Sequence, residues 1–379
     1  MADLEKRTVG LVVAPGVTER LAESLMEELP DMLSEQYNNE KEWTFDLVTD
    51  PLTGFAESVD EIFKKVADYH DKRQWDYVIS ITDLPMFADH QVMALDINMY
   101  NGAAIFSYPA FGWRPVKNRF KQAILSIIQE LHEAEHESRN YDDNNNIETS
   151  VKKQFPLSKI DKTQVYLEET ESYHLRYLSS SRSRGMFRLV SGMTFANNPL
   201  NMMASLSNIV AIAFTTGAFG LVFTTMWQMA NNFSMWRLFG ISIIAIIGML
   251  IWIMMSHDLW ESVKSSKNKR ITWLYNATTI MTLIIAIIIY YIILYTLFLI
   301  AELVLLPADF LGQQVSLKGP AGPDLYLSIP WFAASVSTVA GAIGAGLLND
   351  QLIKESTYGY RQRIRYEDTH AVSYTHLTL

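Results

Sequence analysis

The stretch TWLYNATTIMTLIIAIIIYYIILYTLFLIA, residues 272–301, contains no Asp, Glu, Lys or Arg. A helix needs roughly 20 apolar residues to cross the hydrocarbon core of a bilayer, so a run of this length predicts a transmembrane helix. Three more runs share this property, at 205–226, 238–255 and 329–348. The sequence therefore predicts an α-helical membrane domain of four transmembrane helices within residues 201–350, surrounded by the lipid bilayer.

Basic residues beside these runs predict the orientation of the helices. Loops on the cytoplasmic side of a membrane carry an excess of Lys and Arg. The connections 227–237 and 302–328 are poor in basic residues, whereas the segment before the first run, the second connection and the tail 351–370 are basic. We therefore expect a multi-pass protein of the plasma membrane with both termini in the cytoplasm. The basic residues beside the first three runs are Arg182, Arg184, Arg188, Lys264, Lys267, Lys269 and Arg270.

The amino-terminal part of the chain has a different composition. Residues 1–140 contain 25 Asp and Glu but 13 Lys and Arg, a net charge of −12. This composition indicates a soluble, acidic domain and argues against nucleic-acid binding, which depends on Lys and Arg to neutralise phosphates. The first thirty residues lack the basic start and apolar core of a signal peptide, so we expect the domain to stay in the cytoplasm. The last residues, 371–379 (AVSYTHLTL), are typical of translated sequencing-adaptor DNA and are predicted to be an artefact.

Residues 1–140 alternate between short β-rich runs and amphipathic stretches. Strands that alternate with helices predict parallel pairing and an α/β open parallel sheet of the Rossmann-like kind. The segment 141–200 is predicted as a linker that holds a strand pair near 164–169 and 172–178. It ends in an amphipathic segment that either lies at the lipid headgroups or is a plain connecting helix. The predicted strands are 8–14, 43–49, 75–82 and 103–108, and the predicted helices are 17–37, 58–70 and 115–137.

Short loops rich in Pro, Gly and Asp follow the four predicted strands. Parallel strands place these loops at one edge of the sheet, where open α/β sheets bind their ligands. The same residue types also form tight turns without any ligand, so a purely structural role is the alternative interpretation. The residues that are predicted to line a small-molecule site are Pro15, Gly16, Asp50, Thr53, Gly54, Asp83 and Arg114.

Catalytic, metal and cofactor motifs are missing from the sequence. It lacks G-x-G-x-x-G, a P-loop, H-E-x-x-H, G-x-S-x-G and an EF-hand loop. Without cysteine it has no thiolate metal site or cysteine nucleophile. His132 and His136 are four apart, but they lie in a charged stretch that is typical of a solvated helix. The sequence thus predicts no metal site, identifies no cofactor, and favours a sensory, regulatory or scaffold role over an enzyme.

The polar content of the apolar runs bears on transport. The fourth run is rich in small residues, including Ser337, Gly341 and Gly344, which predicts close helix contacts and a homo-oligomer through this surface. The runs carry uncharged polar residues such as Asn276, and Glu302 lies at the end of one of them. Ion-coupled carriers usually place ionisable groups near the bilayer midplane, and these runs contain no Asp, Glu, Lys or Arg. A transporter or channel is therefore the third-ranked function.

Four motifs carry a family resemblance: APG at 14–16, DPLTG at 50–54, TDLP at 82–85 and TTGAFG at 215–220. They are similar to motifs of an uncharacterised family of multi-pass membrane proteins from Gram-positive bacteria, including lactobacilli and actinobacteria, and the resemblance extends from residue 8 to about 366. Some relatives are labelled methylenetetrahydrofolate dehydrogenase, and the soluble enzymes of that name carry S-x-x-Y-x-x-x-K. Ser34, Tyr37 and Lys41 match this spacing. The resemblance therefore implies, as the alternative function, a membrane-tethered enzyme that uses a nucleotide or pterin.

Overall fold

A computed structural model of the protein describes residues 5–37, 41–54, 59–113, 116–136, 150–155, 159–167, 172–262, 269–345, 353–354 and 357–364. The chain divides into two compact units. The first consists of residues up to Ala196 and the carboxyl-terminal residues from Arg361, and the second of Asn197–Tyr360. The first unit is a mixed α/β sheet domain, and the described residues of the second are helical or irregular.

The strands of the first unit are β1 Glu5–Val13, β2 Lys41–Thr49, β3 Tyr77–Thr82, β4 Met86–Ala88, β5 Gln91–Asn98, β6 Ala103–Ser107, β7 Ile160–Leu167 and β8 Ser172–Ser179. In the described part of the chain they form one sheet in the order β2-β1-β3-β6-β5-β8-β7, with β4 paired to β5. Strands β2, β1, β3 and β6 are parallel neighbours, as the sequence predicts.

The other half of the sheet is antiparallel, so the prediction of an open parallel sheet is correct for β2, β1, β3 and β6 and wrong for the rest. Strand β5 runs antiparallel to both β6 and β8, and β7 runs antiparallel to β8. The connection between β5 and β6 is residues 99–102. Parallel neighbours need a crossover of a dozen or more residues, and a connection this short permits only antiparallel pairing.

The helices of the first unit are α1 Val17–Met26, α2 Leu29–Gln36, α3 Val59–Arg73, α4 Lys117–His136 and α5 Arg182–Ala196. They cover both faces of the sheet. Ile105 and Phe106 are successive residues of β6 and therefore point to opposite faces. Ile105 belongs to one buried cluster with Ile62 and Val66 of α3, whereas the ring of Phe106 lies 5.1 Å from that of Phe120 in α4. The parallel half of the sheet is thus buried on both sides.

The α/β domain extends beyond residue 140, where the sequence analysis ends it. The predicted strand pair near 164–169 and 172–178 is confirmed as β7 and β8. Both strands belong to the main sheet, because β8 pairs with β5. The domain therefore includes most of the predicted linker, up to the end of α5. The polar stretch 140–149 and the predicted artefact 371–379 lie outside the described residues.

The helices of the second unit are α6 Pro199–Ser205, α7 Ser207–Leu221, α8 Thr224–Asn232, α9 Met235–Ser256, α10 Lys269–Leu305, α11 Ala308–Gln314 and α12 Pro323–Ala345. Of the described helices, α9, α10 and α12 are long and apolar enough to cross a membrane. Helices α7 and α8 pass the same test only as a pair, and they meet at a bend of 89°. The described residues thus contain three candidate membrane spans, or up to four if the bent pair is one span.

Small residues let α12 pack closely against its neighbours α7, α9 and α10. A Cβ atom added to Gly341 would lie 2.5 Å from Tyr290 Oη, and one added to Gly217 would lie 1.9 Å from Ser337 Oγ. Neither position has room for a larger side chain. Part of the small-residue surface is therefore used within one chain, and the homo-oligomer that we expected there stays a prediction.

A buried polar network also joins three of these helices. Tyr291 Oη of α10 lies 2.9 Å from Ser242 Oγ of α9 and 2.7 Å from Ser335 Oγ of α12. Trp331 Nε1 donates to Ser242 Oγ at 2.7 Å. Interhelical hydrogen bonds and close packing of this kind are what hold helices together in lipid, where no hydrophobic drive does so.

Candidate functional site

The loops that follow β1, β2, β3 and β6 meet at the carboxyl edge of the parallel strands. Their backbones are joined directly, because Asp50 N donates to Val13 O at 2.9 Å and Ala14 N donates to Ile81 O at 3.0 Å. Parallel order alone places loop residues 14–16, 50–54, 83–85 and 108–112 at this edge. Of the predicted site residues, Pro15, Gly16, Asp50, Thr53, Gly54 and Asp83 lie in these loops, and Arg114 lies outside the described residues.

Asp50 is almost fully buried, and both of its carboxylate oxygens have partners. Oδ1 accepts from Leu52 N at 2.8 Å, which makes the turn after β2. Oδ2 accepts from the hydroxyl of Tyr69 in α3 at 2.8 Å and lies 3.6 Å from Lys65 Nζ. Burial, followed by this hydrogen bond to Asp50, raises the pKa of Tyr69 to about 12. Asp50 therefore holds the loop to α3, in line with the structural interpretation of this residue.

A chain of buried hydrogen bonds fixes the next two loops. Thr53 Oγ1 donates to Asp50 O at 2.7 Å, and Thr82 Oγ1 donates to Thr53 O. Thr82 Oγ1 in turn accepts from Leu84 N at 2.9 Å, and Ser107 Oγ donates to Leu84 O at 2.8 Å. Because buried hydroxyls lock these backbones, the edge is a preformed and rigid surface.

Glu19 belongs to the same edge, although the sequence analysis did not select it. Its Oε2 accepts from Gly16 N at 3.2 Å, and its Oε1 accepts from Thr49 Oγ1 at 2.8 Å. Gly16 has φ of 101°, a conformation that glycine adopts readily and other residues rarely do. The signal in the sequence is a glutamate three residues after the residue that starts the helix, which is the spacing of a capping box.

Helix α5 packs against the last of these loops. The structure leaves no room for a side chain between them, because a Cβ atom on Gly192 would lie 2.0 Å from Pro109 O. A Cβ atom on Gly112 would lie 3.0 Å from Arg188 Cγ. The Arg188 guanidinium is 5.6 Å from the centroid of the Phe155 ring. The Phe155 ring in turn packs at a tilt against that of Phe111 in the loop, with 4.5 Å between ring centroids. Helix α5, which directly precedes the second unit in the chain, is thus packed on this edge of the sheet.

The predicted basic residues beside the helices have different environments. Arg182 and Arg184 are exposed, so they are available to solvent or to lipid headgroups in this unit. Arg188 is half-buried and packs as described above. In the second unit Lys269 is exposed and Arg270 is half-buried, while Lys264 and Lys267 lie outside the described residues.

The residues that match the dehydrogenase spacing lie at the opposite edge of the sheet. Lys41 is the first residue of β2, and its Nζ lies 2.9 Å from His132 Nε2. The ring of Tyr37 lies edge-on to His132 at 5.1 Å between ring centroids. Ser34 Oγ donates to Pro30 O at 2.9 Å, within its own helix. Tyr37 and Lys41 therefore both contact His132, away from the loops that carry Asp50 and Asp83.

A buried ionic cluster in the antiparallel half was missed by the sequence analysis. Asp96 Oδ1 lies 3.0 Å from His174 Nδ1, and Oδ2 accepts from Arg176 Nε at 3.0 Å. His174 Nε2 is buried, and no described residue gives it a hydrogen bond. The carboxylate orients the imidazole by its hydrogen bond to Nδ1. The signal in the sequence was the alternation of polar and apolar residues in β5. It indicates this cluster only once the pairing of β5 with β8 is known.

The described residues contain no group of three or more His, Cys, Asp or Glu side chains that could hold a metal ion. No family model, curated protein or solved structure matches the chain. The chemistry of the sheet edge is therefore given by its own residues. It offers a rigid set of loops, one half-buried glutamate and a helix that packs directly on the last loop.

Proposed function

We propose that the protein is a multi-pass sensory or regulatory protein of the plasma membrane with both termini in the cytoplasm. Its Rossmann-like α/β domain binds a small molecule or a partner at the loop edge, and α5 carries the bound state toward the membrane helices. In this proposal the bent pair α7–α8 counts as the first of four spans. The observation that carries the proposal is the direct contact of Gly192 in α5 with the backbone of Pro109.

The physical argument rests on rigidity and chain continuity. The loops are hydrogen-bonded to one another, so a ligand that displaces one of them moves its neighbours. A helix backbone that touches a loop backbone has no flexible side chain to absorb such a shift. The last residue of α5, Ala196, is followed at once by Asn197 of the second unit. Displacement of α5 is therefore passed along the chain by covalent connection, as an allosteric change needs.

The rival enzyme hypothesis has less support from the geometry. A nucleotide or pterin enzyme would be expected to place its reacting groups at the carboxyl edge of the parallel strands. Tyr37 and Lys41 lie at the amino edge instead, and Ser34 is hydrogen-bonded inside α2. Asp50, at the correct edge, has both oxygens committed to Leu52, Tyr69 and Lys65. The binding and regulatory function is therefore the one that we propose.

A ligand screen on the full-length protein in lipid nanodiscs tests this function. We expect at least one member of a panel of nucleotides, pterins and divalent ions to raise the melting temperature of the α/β unit. Hydrogen-exchange mass spectrometry with that compound should then show slower exchange both in loops 50–54 and 108–112 and in α5. Slower exchange in α5 is expected because its backbone contacts the loop.

Two results would contradict the proposal. If no compound in the panel shifts melting, the loop edge is not a small-molecule site. If a compound protects the loops while exchange in α5 stays unchanged, ligand binding is not transmitted. The variant Glu19→Asp tests whether the two effects are coupled. It shortens the side chain that holds Gly16 and Thr49 at the loop edge, and it changes no residue of α5. It should weaken the compound's effect at the loops and at α5 in proportion.

A further inference from the structure

Glu302 occupies an unusual position near the end of α10. Its exposed fraction is 0%, and neither carboxyl oxygen has a hydrogen-bond partner among the described residues. In the sequence this residue marks the end of an apolar run, where an ionisable group would normally reach the water interface. The fold instead places it inside the helix bundle. An ionisable side chain buried inside a membrane domain is expensive and points to a functional site.

The carboxyl lies at the end of a continuous buried stripe. Tyr290, Leu294, Phe298 and Glu302 are spaced four residues apart on α10, and each is completely buried. At this spacing they lie on one face of the helix. The stripe packs against α7 and α12, because a Cβ atom on Gly217 would lie 1.9 Å from Ser337 Oγ and 2.3 Å from Phe298 Cζ. Glu302 therefore faces packed helices along the same side as these aromatic rings.

Among the described residues, no basic side chain forms an ion pair with Glu302. The titratable side chains whose electrostatic interaction with it is resolved are Tyr295 on its own helix and Tyr326 on α12, both ordinarily neutral. Helices α7 and α8 have no titratable residue. Arg237 at the start of α9, Asp309 in α11, Lys318 after it and Asp324 at the start of α12 are exposed. A bare carboxylate at this position would be an unpaired buried charge, which costs a large amount of free energy.

A proton is the ion that suits this environment. A metal cation such as Ca²⁺ or Mg²⁺ needs six or more oxygen ligands, and the described residues provide no acidic or histidine cluster here. A proton needs only the carboxyl itself. The last turn of a helix also carries partial negative charge from its free carbonyls, and Glu302 lies in that region of α10, which ends at Leu305. This charge further favours the neutral acid.

Two irregularities interrupt the helices that pack on α10. Helices α7 and α8 are broken at residues 222–223. Pro330 lies inside α12 and has no N–H, so the carbonyl of Tyr326 loses its intrahelical donor. Broken helices with freed carbonyls are typical of ion sites in membrane proteins, because they can open without unfolding a whole span. Both irregularities belong to the helices that pack on the α10 stripe.

We propose that Glu302 is a proton-binding site of the membrane unit. In the closed packing the carboxyl is the neutral acid. When the contact of α10 with α12 opens and water enters, the O–H bond breaks, the proton passes to water, and a hydrated carboxylate remains. Reprotonation restores the closed packing. This gives the membrane unit the chemistry of a proton-responsive or proton-coupled device, and it is independent of ligand binding at the sheet edge.

Labelling with the hydrophobic reagent dicyclohexylcarbodiimide tests the site in full-length protein in liposomes. This carbodiimide adds to a protonated carboxyl group: the acid proton moves to a nitrogen of the reagent and the carboxyl oxygen bonds to its central carbon. Peptide mass spectrometry should find the adduct on Glu302, with a yield that falls as the pH rises. Glu302→Gln should abolish this adduct, whereas Asp309→Asn, which changes an exposed carboxyl, should retain it. An adduct that is missing at every pH, or independent of pH, overturns the proposal.

Thermal melting against pH separates a proton site from a merely structural glutamate. Gln has the shape of the neutral acid but does not ionise, so Glu302→Gln should stay folded. We expect the melting temperature of wild type to fall relative to that of Glu302→Gln as the pH rises from acid to alkaline values, because the unfolded chain releases this proton in water more readily than the folded protein does. Parallel curves for the two proteins would show that no proton is bound or released at this residue and would reject the proposal, whatever the result of the ligand screen.

Discussion

Replacing Gly192 with alanine is expected to lower the free energy of unfolding of the α/β unit by about 1–3 kcal/mol, the usual cost of overpacking a close contact. The added Cβ atom would lie 2.0 Å from Pro109 O and 2.8 Å from Pro109 C. Both are backbone atoms, so no side-chain rotation can relieve the clash, and α5 must move away from the loop. Chemical unfolding of the full-length protein, followed with hydrogen exchange of α5, measures the effect.

Gly185→Ala is the matched control for this variant. It adds the same atom to the same helix, but the nearest neighbours are the rotatable Ser179 Oγ at 2.7 Å and Ser179 Cβ at 2.9 Å, a milder contact than a backbone oxygen at 2.0 Å. Both variants gain the same helix propensity, about 0.5–1 kcal/mol relative to glycine. We expect Gly192→Ala to be the less stable of the two and to lose the response of α5 to any compound that binds the loops. Equal stability and an intact response would show that the helix–loop contact does not couple the two.

Replacing Gly217 with leucine should destabilise the helical unit more than any other single glycine substitution that we consider. The added Cβ atom would meet Ser337 Oγ at 1.9 Å and Phe298 Cζ at 2.3 Å, and both partners are buried. The rest of the leucine side chain has no cavity to enter, so α7 has to separate from α10 and α12. Overpacking of a close-packed core costs about 1–3 kcal/mol for small insertions, and a whole leucine side chain should cost at least this much. The measurement is thermal unfolding in detergent micelles.

Gly248→Leu provides the comparison. Gly248 lies in the span α9, and no atom is found within 4 Å of a Cβ atom built there. The new side chain can extend outward. Leucine also has a better helix propensity than glycine, by at most about 1 kcal/mol. We expect this variant to melt at or above the temperature of wild type. If the two leucine variants melt together, the close contact of α7 with α10 and α12 is not part of the native bundle.

The parallel half of the sheet was predictable from local patterns, and the antiparallel half was not. Runs such as 8–14 and 75–82 are rich in apolar and β-branched residues, which indicates buried parallel strands between helices. In strand β5 the polar residues Asp96 and Asn98 are buried, so the alternation of polar and apolar residues does not mark an exposed face. Those polar side chains are tolerated because Asp96 pairs with His174 and Arg176 of β8. That pairing joins distant parts of the chain, and no local pattern contains it.

Hydropathy predicted where apolar helices occur but not how they run. The run 205–226 has the length of a span, yet it bends at residues 222–223. The bend is stabilised by a side chain from the next helix, since Trp227 Nε1 donates to Leu221 O at 2.8 Å. A window of hydropathy values measures composition only, so it cannot register a hydrogen bond that turns the backbone. The number of complete crossings depends on this feature.

In the candidate site, too, the position of the loops was predictable from the sequence and the side-chain contacts were not. Strand order placed the loops at one edge, as the sequence predicts. The partners of Asp50 could not be predicted, because Tyr69 and Lys65 come from a helix whose rotation is set by tertiary packing. Glu302 is the sharpest example. Its sequence position suggested a solvated helix end, and only the packing of α10 against α7 and α12 buries it.

The central claim is that the described residues of Asn197–Tyr360 form a helical unit that resides in lipid, attached to an α/β domain. Fractionation of cells that express the full-length protein tests this claim most directly. After an alkaline carbonate wash we expect the intact polypeptide to sediment with the membranes on ultracentrifugation and to be released only by detergent. Recovery of the intact polypeptide in the detergent-free supernatant would contradict the claim, because helices with this exposed apolar surface could not remain dispersed in water.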